Sequence, residues 1–298
     1  MQVQSLYEEF LSYLSVERNC SPLTLSSYRS DWSVFLQALS ELGVSVKLSA
    51  ITRQVVREYV VWMRKRGLSP ATVARRIHSL RSFWNYLWEN DYTDTNPFRK
   101  LSLPKQVRQL PVYLSEDECR SMIAGAGEQK SALLRCRDTA LLTFMLMTGA
   151  RRSEVLSLRW ADVDLMGKTV RFVAAKGHKT RVVPLAERPA AELSSWREVR
   201  PASDHDYVFT AKSGARLGRR GLATALQRAL KAGGVGKPGT TPHKLRHSFA
   251  CLMLRSGVDL NCLQRMLGHS RLDTTGVYLQ ATAEDLRQAI SKHPLDIP

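Results

Sequence analysis

Two histidines one helical turn apart raise the first chemical question about this sequence. In the stretch TTPHKLRHSFA, residues 240–250, His243 and His247 flank Arg246, and this spacing places neighbouring side chains on one helix face. A zinc hydrolase needs a glutamate between two such histidines, but the intervening residues KLR include two cations. His243 and Arg246, three positions apart, are better suited to holding one anion.

The cysteines give no better metal site. Cys251, Cys262 and His269 are the remaining candidates for a ligand set, and no spacing among them predicts one. The 5 cysteines never form a C-x-x-C pair, and their odd number does not indicate a disulfide framework. We therefore expect neither a metal nor a cofactor.

Three further segments carry residues suited to phosphate chemistry. They are TGARRSE at 148–154 with Arg151 at a turn, AKGHKTR at 175–181 with Lys176 in a hairpin, and LGHSRLDTTGVYLQ at 267–280 with His269 and Tyr278. Guanidinium forks neutralise nonbridging oxygens, a lysine can protonate a leaving oxygen, and imidazoles position or relay protons. With a tyrosine as nucleophile, this set suits phosphoryl transfer.

In this order, the motifs resemble those of the tyrosine recombinases of the phage-integrase family, and the length and layout are similar to the Xer recombinases. The motifs are T-G-x-R-x-S-E, the hairpin lysine, H-x-x-R-H, L-G-H and the following tyrosine, and the resemblance covers nearly the whole chain. The resemblance implies these catalytic residues: Arg151, Lys176, His243, Arg246, His269 and the nucleophile Tyr278. It also implies that Glu154 is a supporting acid.

The resemblance further implies a reaction that needs no metal or nucleotide. Tyr278 would attack a phosphate of double-stranded DNA at a specific recombination site, giving a 3′-phosphotyrosyl link and a free 5′ hydroxyl. Two rounds of exchange through a Holliday junction would follow in a homo- or hetero-tetramer, with a second recombinase or an accessory protein as candidate partners. Resolution of chromosome or plasmid dimers and integration or excision of a mobile element both fit.

The sequence departs from the family's pattern at three places. Arg152 stands where an aliphatic residue is usual, RHSFA continues with CL where Thr-His is common in Xer proteins, and the turn before Lys176 reads AA without a glycine. None of these departures removes a catalytic group. They leave the housekeeping role and the mobile-element role both open.

Two other functions are compatible with the sequence. A type IB topoisomerase uses nearly the same chemistry, but it would relax supercoils without exchanging DNA partners. A non-catalytic DNA-binding regulator would keep its function without Tyr278.

The charge of the chain agrees with a polyanionic partner. The 298 residues carry a formal net charge of +17, and clustered cations gain free energy by displacing counterions from phosphates. No stretch approaches the roughly 20 apolar residues of a membrane span. The N-terminus lacks the basic start and apolar run of a signal peptide. We therefore expect a cytoplasmic protein without membrane contact.

Helical periodicity dominates the first part of the chain. Apolar residues recur at helical spacing up to about residue 90, and the S-P pairs at 21–22 and 69–70 each combine an N-cap with a first-turn proline. We predict a four-helix core-binding domain over residues 1–95. Three arginines on the expected outward face of its fourth helix can track a DNA backbone, with a solvated basic face as the alternative: Arg75, Arg76 and Arg81.

A change of composition marks the second domain. Residues 96–111 contain three prolines and no helical period, which is typical of an extended linker. SEDE at 115–118 then matches a capping box, so we predict a catalytic domain over residues 112–298.

Short strands interrupt this second domain. Residues 169–175 and 181–186 are rich in β-formers around a turn, which predicts a hairpin, and 207–210 predicts a further strand. The predicted fold is mainly α with a small β-sheet, and the catalytic domain is of the α+β class. We expect the helical domain and the catalytic domain to form a two-domain clamp around DNA.

Overall fold

The computed structural model describes residues 3–99, 101, 113–173 and 180–268. The chain divides into two compact units, Met1–Arg108 and Gln109–Pro298. No α-helix in the described ranges is long and apolar enough to cross a membrane.

The described part of the first unit contains four α-helices, as the sequence predicts. They are α1 Val3–Val16, α2 Pro22–Glu41, α3 Arg53–Lys65 and α4 Pro70–Glu89. The hydroxyls of Ser21, Thr52 and Ser69 cap the starts of α2, α3 and α4, each accepting a backbone N–H at 3.1, 3.3 and 3.2 Å. These local caps explain why the helix starts can be located in the sequence.

Aromatic rings fill the core of this helical unit. Tyr7 of α1 stacks on Trp32 of α2 with ring centroids 4.4 Å apart, and Phe83 of α4 meets Trp32 edge to face at 5.4 Å. Trp84 of α4 is fully buried beside them. Rings of this size bury large apolar areas, so three helices are held by one shared cluster.

The described part of the second unit is mainly helical. Its helices are α5 Glu116–Gly127, α6 Ala132–Thr148, α7 Arg152–Ser157, α8 Glu187–Val199, α9 Arg219–Ala232, α10 Pro242–Arg255 and α11 Leu260–Leu267. The apolar helix α6 lies at the centre and contacts α5, α8, α9 and α10. The capping box predicted at Ser115 and Glu118 starts α5, whereas α8 was not predicted.

A three-stranded antiparallel sheet completes the second unit. Its strands are β1 Val163–Asp164, β2 Thr169–Phe172 and β3 Arg181–Pro184, in that order. The predicted hairpin is confirmed as β2 and β3. The strand predicted at 207–210 is wrong: Val208 N–H donates to the Leu158 carbonyl at 2.9 Å and Leu217 N–H donates to the Phe209 carbonyl at 3.0 Å. This segment bonds to two loops and does not join the ladder.

Candidate active site

The end of α6 and the start of α7 form the first part of the site. Gly149 ends α6 with a left-handed φ of 61°, and a Cβ at this position would lie 2.4 Å from the ring of Phe249 in α10. Only glycine meets both demands without strain. The turn therefore packs closely against α10 and delivers Arg151 to the N-cap of α7.

Arg246 of α10 connects two helix ends. Its Nη1 donates to the Gly149 carbonyl at 2.7 Å, and its Nη2 donates to the Leu267 carbonyl at 2.7 Å. The residue is 2% exposed. Because carbonyls at a helix C-terminus lack partners within the helix, a fixed cationic fork satisfies one on α6 and one on α11 at once.

Arg151 and Glu154 are joined within α7. The backbone N–H of Arg151 donates to Glu154 Oε2 at 2.7 Å, and Arg151 Nη1 donates to Glu154 Oε1 at 2.9 Å. Arg151 Nη2 donates to the Gly268 carbonyl at 2.9 Å. Glu154 therefore holds the guanidinium of Arg151 against the end of α11.

Arg181 is the site residue that the sequence analysis missed. The strand register pairs it with Phe172, so it lies on the same face of β3 as the buried Val183. Its Nη1 and Nη2 donate to the two carboxylate oxygens of Glu154 at 2.7 and 2.8 Å. A cation at an inward position of a period-two strand is the signal that could have revealed a buried ion pair.

Three consecutive carbonyls at the end of α11 each accept a hydrogen bond from a different arginine. Arg181 Nε donates to the Met266 carbonyl at 2.8 Å, next to the Leu267 and Gly268 carbonyls that bind Arg246 and Arg151. The C-terminal end of a helix carries partial negative charge, which favours cations there. The three arginines fix Gly268, the residue before His269.

These arginines determine the charge of Glu154. Burial alone would raise the pKa of this carboxyl, but hydrogen bonds and charges from Arg181 and Arg151 lower it below its ordinary value. Glu154 is therefore a carboxylate at neutral pH, and it binds both guanidinium groups in charge-assisted bonds.

His243 and His247 lie side by side on α10. Their ring centroids are 4.6 Å apart, and the rings are nearly perpendicular. Burial, then Arg246, Arg151 and Arg152, lower the pKa of His243, and burial together with His243, Arg246 and Lys244 lowers that of His247 to about 4. Both imidazoles are therefore neutral at neutral pH, and a neutral imidazole can accept a proton.

The described residues contain no group of three or more His, Cys, Asp or Glu side chains that could hold a metal ion. Of the predicted site residues, Arg151, Glu154, His243 and Arg246 are brought together. Lys176, His269 and Tyr278 lie outside the described residues.

Two of the three arginines of α4, Arg76 and Arg81, differ from their predicted outward placement. Arg75 donates to both carboxylate oxygens of the fully buried Asp31 at 2.6 Å, although its own side chain is 49% exposed. Arg76, only 15% exposed, lies with Nε 3.8 Å from the same carboxylate. The half-buried Arg81 donates to the Phe98 and Leu101 carbonyls at 2.9 and 3.1 Å. These long side chains of α4 thus reach back into the unit. Their contact with DNA stays a prediction.

Comparison with known protein families identifies the family of the chain. The model of the Phage integrase family matches residues 112–285, and that of the phage integrase N-terminal SAM-like domain matches residues 7–90. The chain belongs to the phage integrase family and is a tyrosine site-specific recombinase that cleaves and rejoins DNA.

Two relatives resemble the chain over nearly its full length. Tyrosine recombinase XerC of Oceanobacillus iheyensis is 33% identical, with 98% of this chain and 97% of the relative covered. Tyrosine recombinase XerD of Listeria innocua is 32% identical, with 98% and 99% covered. The chain is thus Xer-like, and the two identities do not separate the XerC kind from the XerD kind.

Two solved structures resemble the fold. The XerH site-specific recombinase bound to a palindromic difH substrate, in a post-cleavage complex, has a TM-score of 0.76 and is 25% identical, covering 92% of this chain and 81% of that one. A lambda integrase(75-356) dimer bound to a COC′ core site has a TM-score of 0.75 at 19% identity, covering 93% and 95%, and supports the fold alone. Both of these proteins are bound to specific DNA sites, and the lambda integrase is bound as a dimer.

Proposed function

We propose that the enzyme cleaves a DNA strand by attack of Tyr278 on a scissile phosphate that Arg151 and Arg246 bind. One observation carries the proposal. The two guanidinium groups come from different helices and donate to adjacent carbonyls, Gly268 at 2.9 Å and Leu267 at 2.7 Å. Two permanently charged forks therefore lie side by side, directly before the segment that carries His269 and Tyr278.

The arginines stabilise charge that builds during the reaction. As the phenolic oxygen of Tyr278 bonds to phosphorus, negative charge accumulates on the nonbridging oxygens, and preorganised cations stabilise it most strongly there. The bond from phosphorus to the 5′ oxygen then breaks, and a 3′-phosphotyrosyl ester remains. Since one ester replaces another, attack by a 5′ hydroxyl reseals a strand without an external energy source.

Two proton transfers accompany cleavage. A tyrosine phenol has an ordinary pKa of about 10, so the attacking oxygen must lose its proton to a base. His243 takes this proton, because its lowered pKa keeps the ring neutral. Lys176 donates a proton to the 5′ oxygen as it leaves, and His269 hydrogen-bonds the phosphate. The roles of Lys176, His269 and Tyr278 rest on the motif resemblance.

Glu154 supports the reaction without contacting DNA. It fixes Arg151 from two directions, through the backbone N–H and through Nη1. A guanidinium held in this way loses less entropy when it binds a phosphate.

The DNA partner is a specific double-stranded site, bound by a homo- or hetero-tetramer during strand exchange through a Holliday junction. The net charge of +17 supports a polyanionic partner, and the likeness to both XerC and XerD supports resolution of chromosome or plasmid dimers, with mobile-element integration as the alternative. A second recombinase or accessory protein would complete the tetramer. Such an enzyme works in the cytoplasm, where that DNA lies.

We also propose that α4 contacts the DNA backbone. Arg75, the most exposed of its three arginines, is the first candidate, and Arg76 and Arg81 would reach DNA only by giving up contacts within the unit. Loss of such a contact would weaken binding to all sequences alike and reduce its salt dependence.

Covalent trapping tests the proposal. The full-length protein is incubated with nicked duplexes of randomised sequence, denatured, and the DNA that stays attached is sequenced, with Tyr278→Phe as the matched control. We expect adducts on one family of sites with the wild type and none with the variant. Adducts that persist in Tyr278→Phe would contradict the nucleophile, and DNA relaxed without partner exchange would favour a topoisomerase.

A further inference from the structure

Arg181 occupies an unusual place for an arginine on a strand. It begins β3, five residues after Lys176 in the sequence, and its side chain is only 12% exposed. Its guanidinium carbon lies 4.6 Å from the centroid of the Phe172 ring on β2. The ring covers one face of the guanidinium, which restricts the directions in which it can donate.

All three nitrogens of this guanidinium donate to protein acceptors. Nη1 and Nη2 bind the two oxygens of Glu154 at 2.7 and 2.8 Å, and Nε binds the Met266 carbonyl at 2.8 Å. The fork is therefore committed to α7 and α11 and holds them at a fixed separation. Such a planar, bidentate arrangement is specific to arginine.

We infer that Arg181 is a positioning residue for DNA cleavage, acting through Glu154 on Arg151 and through the Met266 carbonyl on the end of α11. Glu154 Oε1 accepts from both Arg181 and Arg151, at 2.7 and 2.9 Å, so the orientation of one guanidinium is passed to the other. The inference rests on the proposed function, because the orientation of Arg151 matters for cleavage only if Arg151 binds the scissile phosphate.

The same side chain joins the strands on either side of Lys176 in the sequence to the proposed phosphate site. Arg181 of β3 is paired with Phe172 of β2. Its bonds to α7 and α11 therefore set the distance from the base of the hairpin to Arg151 and Gly268. A displacement of about 1 Å at a reacting centre can reduce a rate about 100-fold.

The variants Arg181→Lys and Arg181→Met test the inference in the full-length enzyme. Lysine keeps the charge but offers a single donor centre, so it cannot bind both Glu154 oxygens and the Met266 carbonyl in one plane. Arg171→Met is the matched control, because Arg171 lies on the neighbouring strand, is 54% exposed, and pairs with Asp162 at 2.9 Å on the other face of the sheet.

Cleavage of the nicked site recovered by covalent trapping is measured in single turnover at saturating protein, beside the Kd for the uncleaved duplex and the Tm. We expect Arg181→Lys to keep its Kd within about twofold while the cleavage rate falls about 100-fold, since the loss is in positioning and not in DNA binding. Arg171→Met should cleave at the wild-type rate. Arg181→Lys retains a buried cation, so the test stands even where Arg181→Met unfolds.

A double variant and a pH profile identify the route of the effect. If Arg181 acts through Glu154, Arg181→Lys combined with Glu154→Gln should cleave about as slowly as the slower single variant. In Arg181→Met, Glu154 loses the bidentate partner that lowers its pKa, while burial still raises that pKa. The cleavage rate should therefore fall on mild acidification where that of the wild type does not.

The possible failures are distinguishable. A wild type without Tyr278-dependent adducts overturns the proposed function. A wild type with such adducts overturns only the inference on Arg181 if Arg181→Lys cleaves at the wild-type rate, or if its cleavage and DNA binding fall in the same proportion.

Discussion

Asp31 in the first unit is fully buried, Glu154 in the second is 11% exposed, and each carboxylate lies beside two arginines. Arg75 donates to both carboxylate oxygens of Asp31 at 2.6 Å, and Arg181 donates to both carboxylate oxygens of Glu154 at 2.7 and 2.8 Å. In each case a further guanidinium lies close to the same carboxylate. The two clusters thus have the same charges, but the bidentate arginine is 49% exposed in the first unit and 12% exposed in the second.

The clusters differ in what their arginines bind besides the carboxylate. Arg75 and Arg76 are adjacent on α4 and lie against Asp31 of α2, and Arg76 also lies close to Tyr59 of α3, so this cluster joins helices of the first unit. Arg151 and Arg181 come from separate elements, and each also bonds a carbonyl at the end of α11. The proposed positioning role of Arg181 therefore rests on contacts that join β3 to α7 and to the end of α11.

The largest expected effect comes from Arg246→Lys. A lysine cannot bridge the Gly149 and Leu267 carbonyls or present a fork to phosphate, so the single-turnover cleavage rate should fall on the order of 1,000-fold. Arg81→Lys is the matched control, because Arg81 also bridges two carbonyls, those of Phe98 and Leu101. Its cleavage rate at saturating protein should stay at the wild-type value, and an equal loss in both variants would remove the distinction between the units.

Neutralising the two carboxylates should affect the two units differently. Asp31→Asn leaves the guanidinium of Arg76, only 15% exposed, without its counter-charge, and it should lower the free energy of unfolding by about 3 kcal/mol while saturated cleavage keeps its rate. Glu154→Gln should slow cleavage about 100-fold, because Arg151 loses its anchor. Thermal unfolding followed by circular dichroism and single-turnover cleavage measure the two effects. A Glu154→Gln enzyme that cleaves normally would contradict the role of Glu154.

The sequence predicts those features that depend on local signals. Ser21 and Ser69 cap helices through contacts three residues away, so α2 and α4 could be located from the sequence. The strand expected at 207–210 failed because the segment forms only isolated bridges, from Tyr207 to Arg159 and from Thr210 to Arg216, and does not pair along its length with another strand.

The site shows the same division. Arg151 and Arg246 could be selected as candidates because they belong to motifs with fixed spacing, whereas Arg181 contacts partners on two other helices that lie far from it in sequence. The outward placement of Arg76 and Arg81 failed for a related reason. A helical period locates the Cα atoms, but a long side chain can turn back to an acceptor on another element.

Acidification should lower the stability of the second unit through protonation of His247. The folded-state pKa of His247 is about 4, below its ordinary value of 6.5. Above pH 6.5 the ring is neutral in both states, whereas between that value and the folded pKa only the unfolded chain takes up the proton. The Tm should therefore fall more on acidification in the wild type than in His247→Gln. Calorimetric Tm values that stay parallel across this range would contradict the burial of a neutral ring.

The smallest expected effect concerns Arg152, which stands at a position where the family usually has an aliphatic residue. Burial, Arg246, Arg151 and, last, Arg152 lower the pKa of His243. Arg152→Gln should let this pKa rise towards 6.5, so the cleavage rate should begin to fall at a higher pH than in the wild type. Because Arg152 is exposed, salt screens its charge, and the difference between the two pH profiles should shrink as ionic strength rises.

Arg120→Gln, which removes an exposed arginine of α5 paired with Glu116, should leave the profile unchanged. A profile that shifts equally in both variants would show that net charge, and not the position of Arg152 beside His243, sets the acid limit of the reaction.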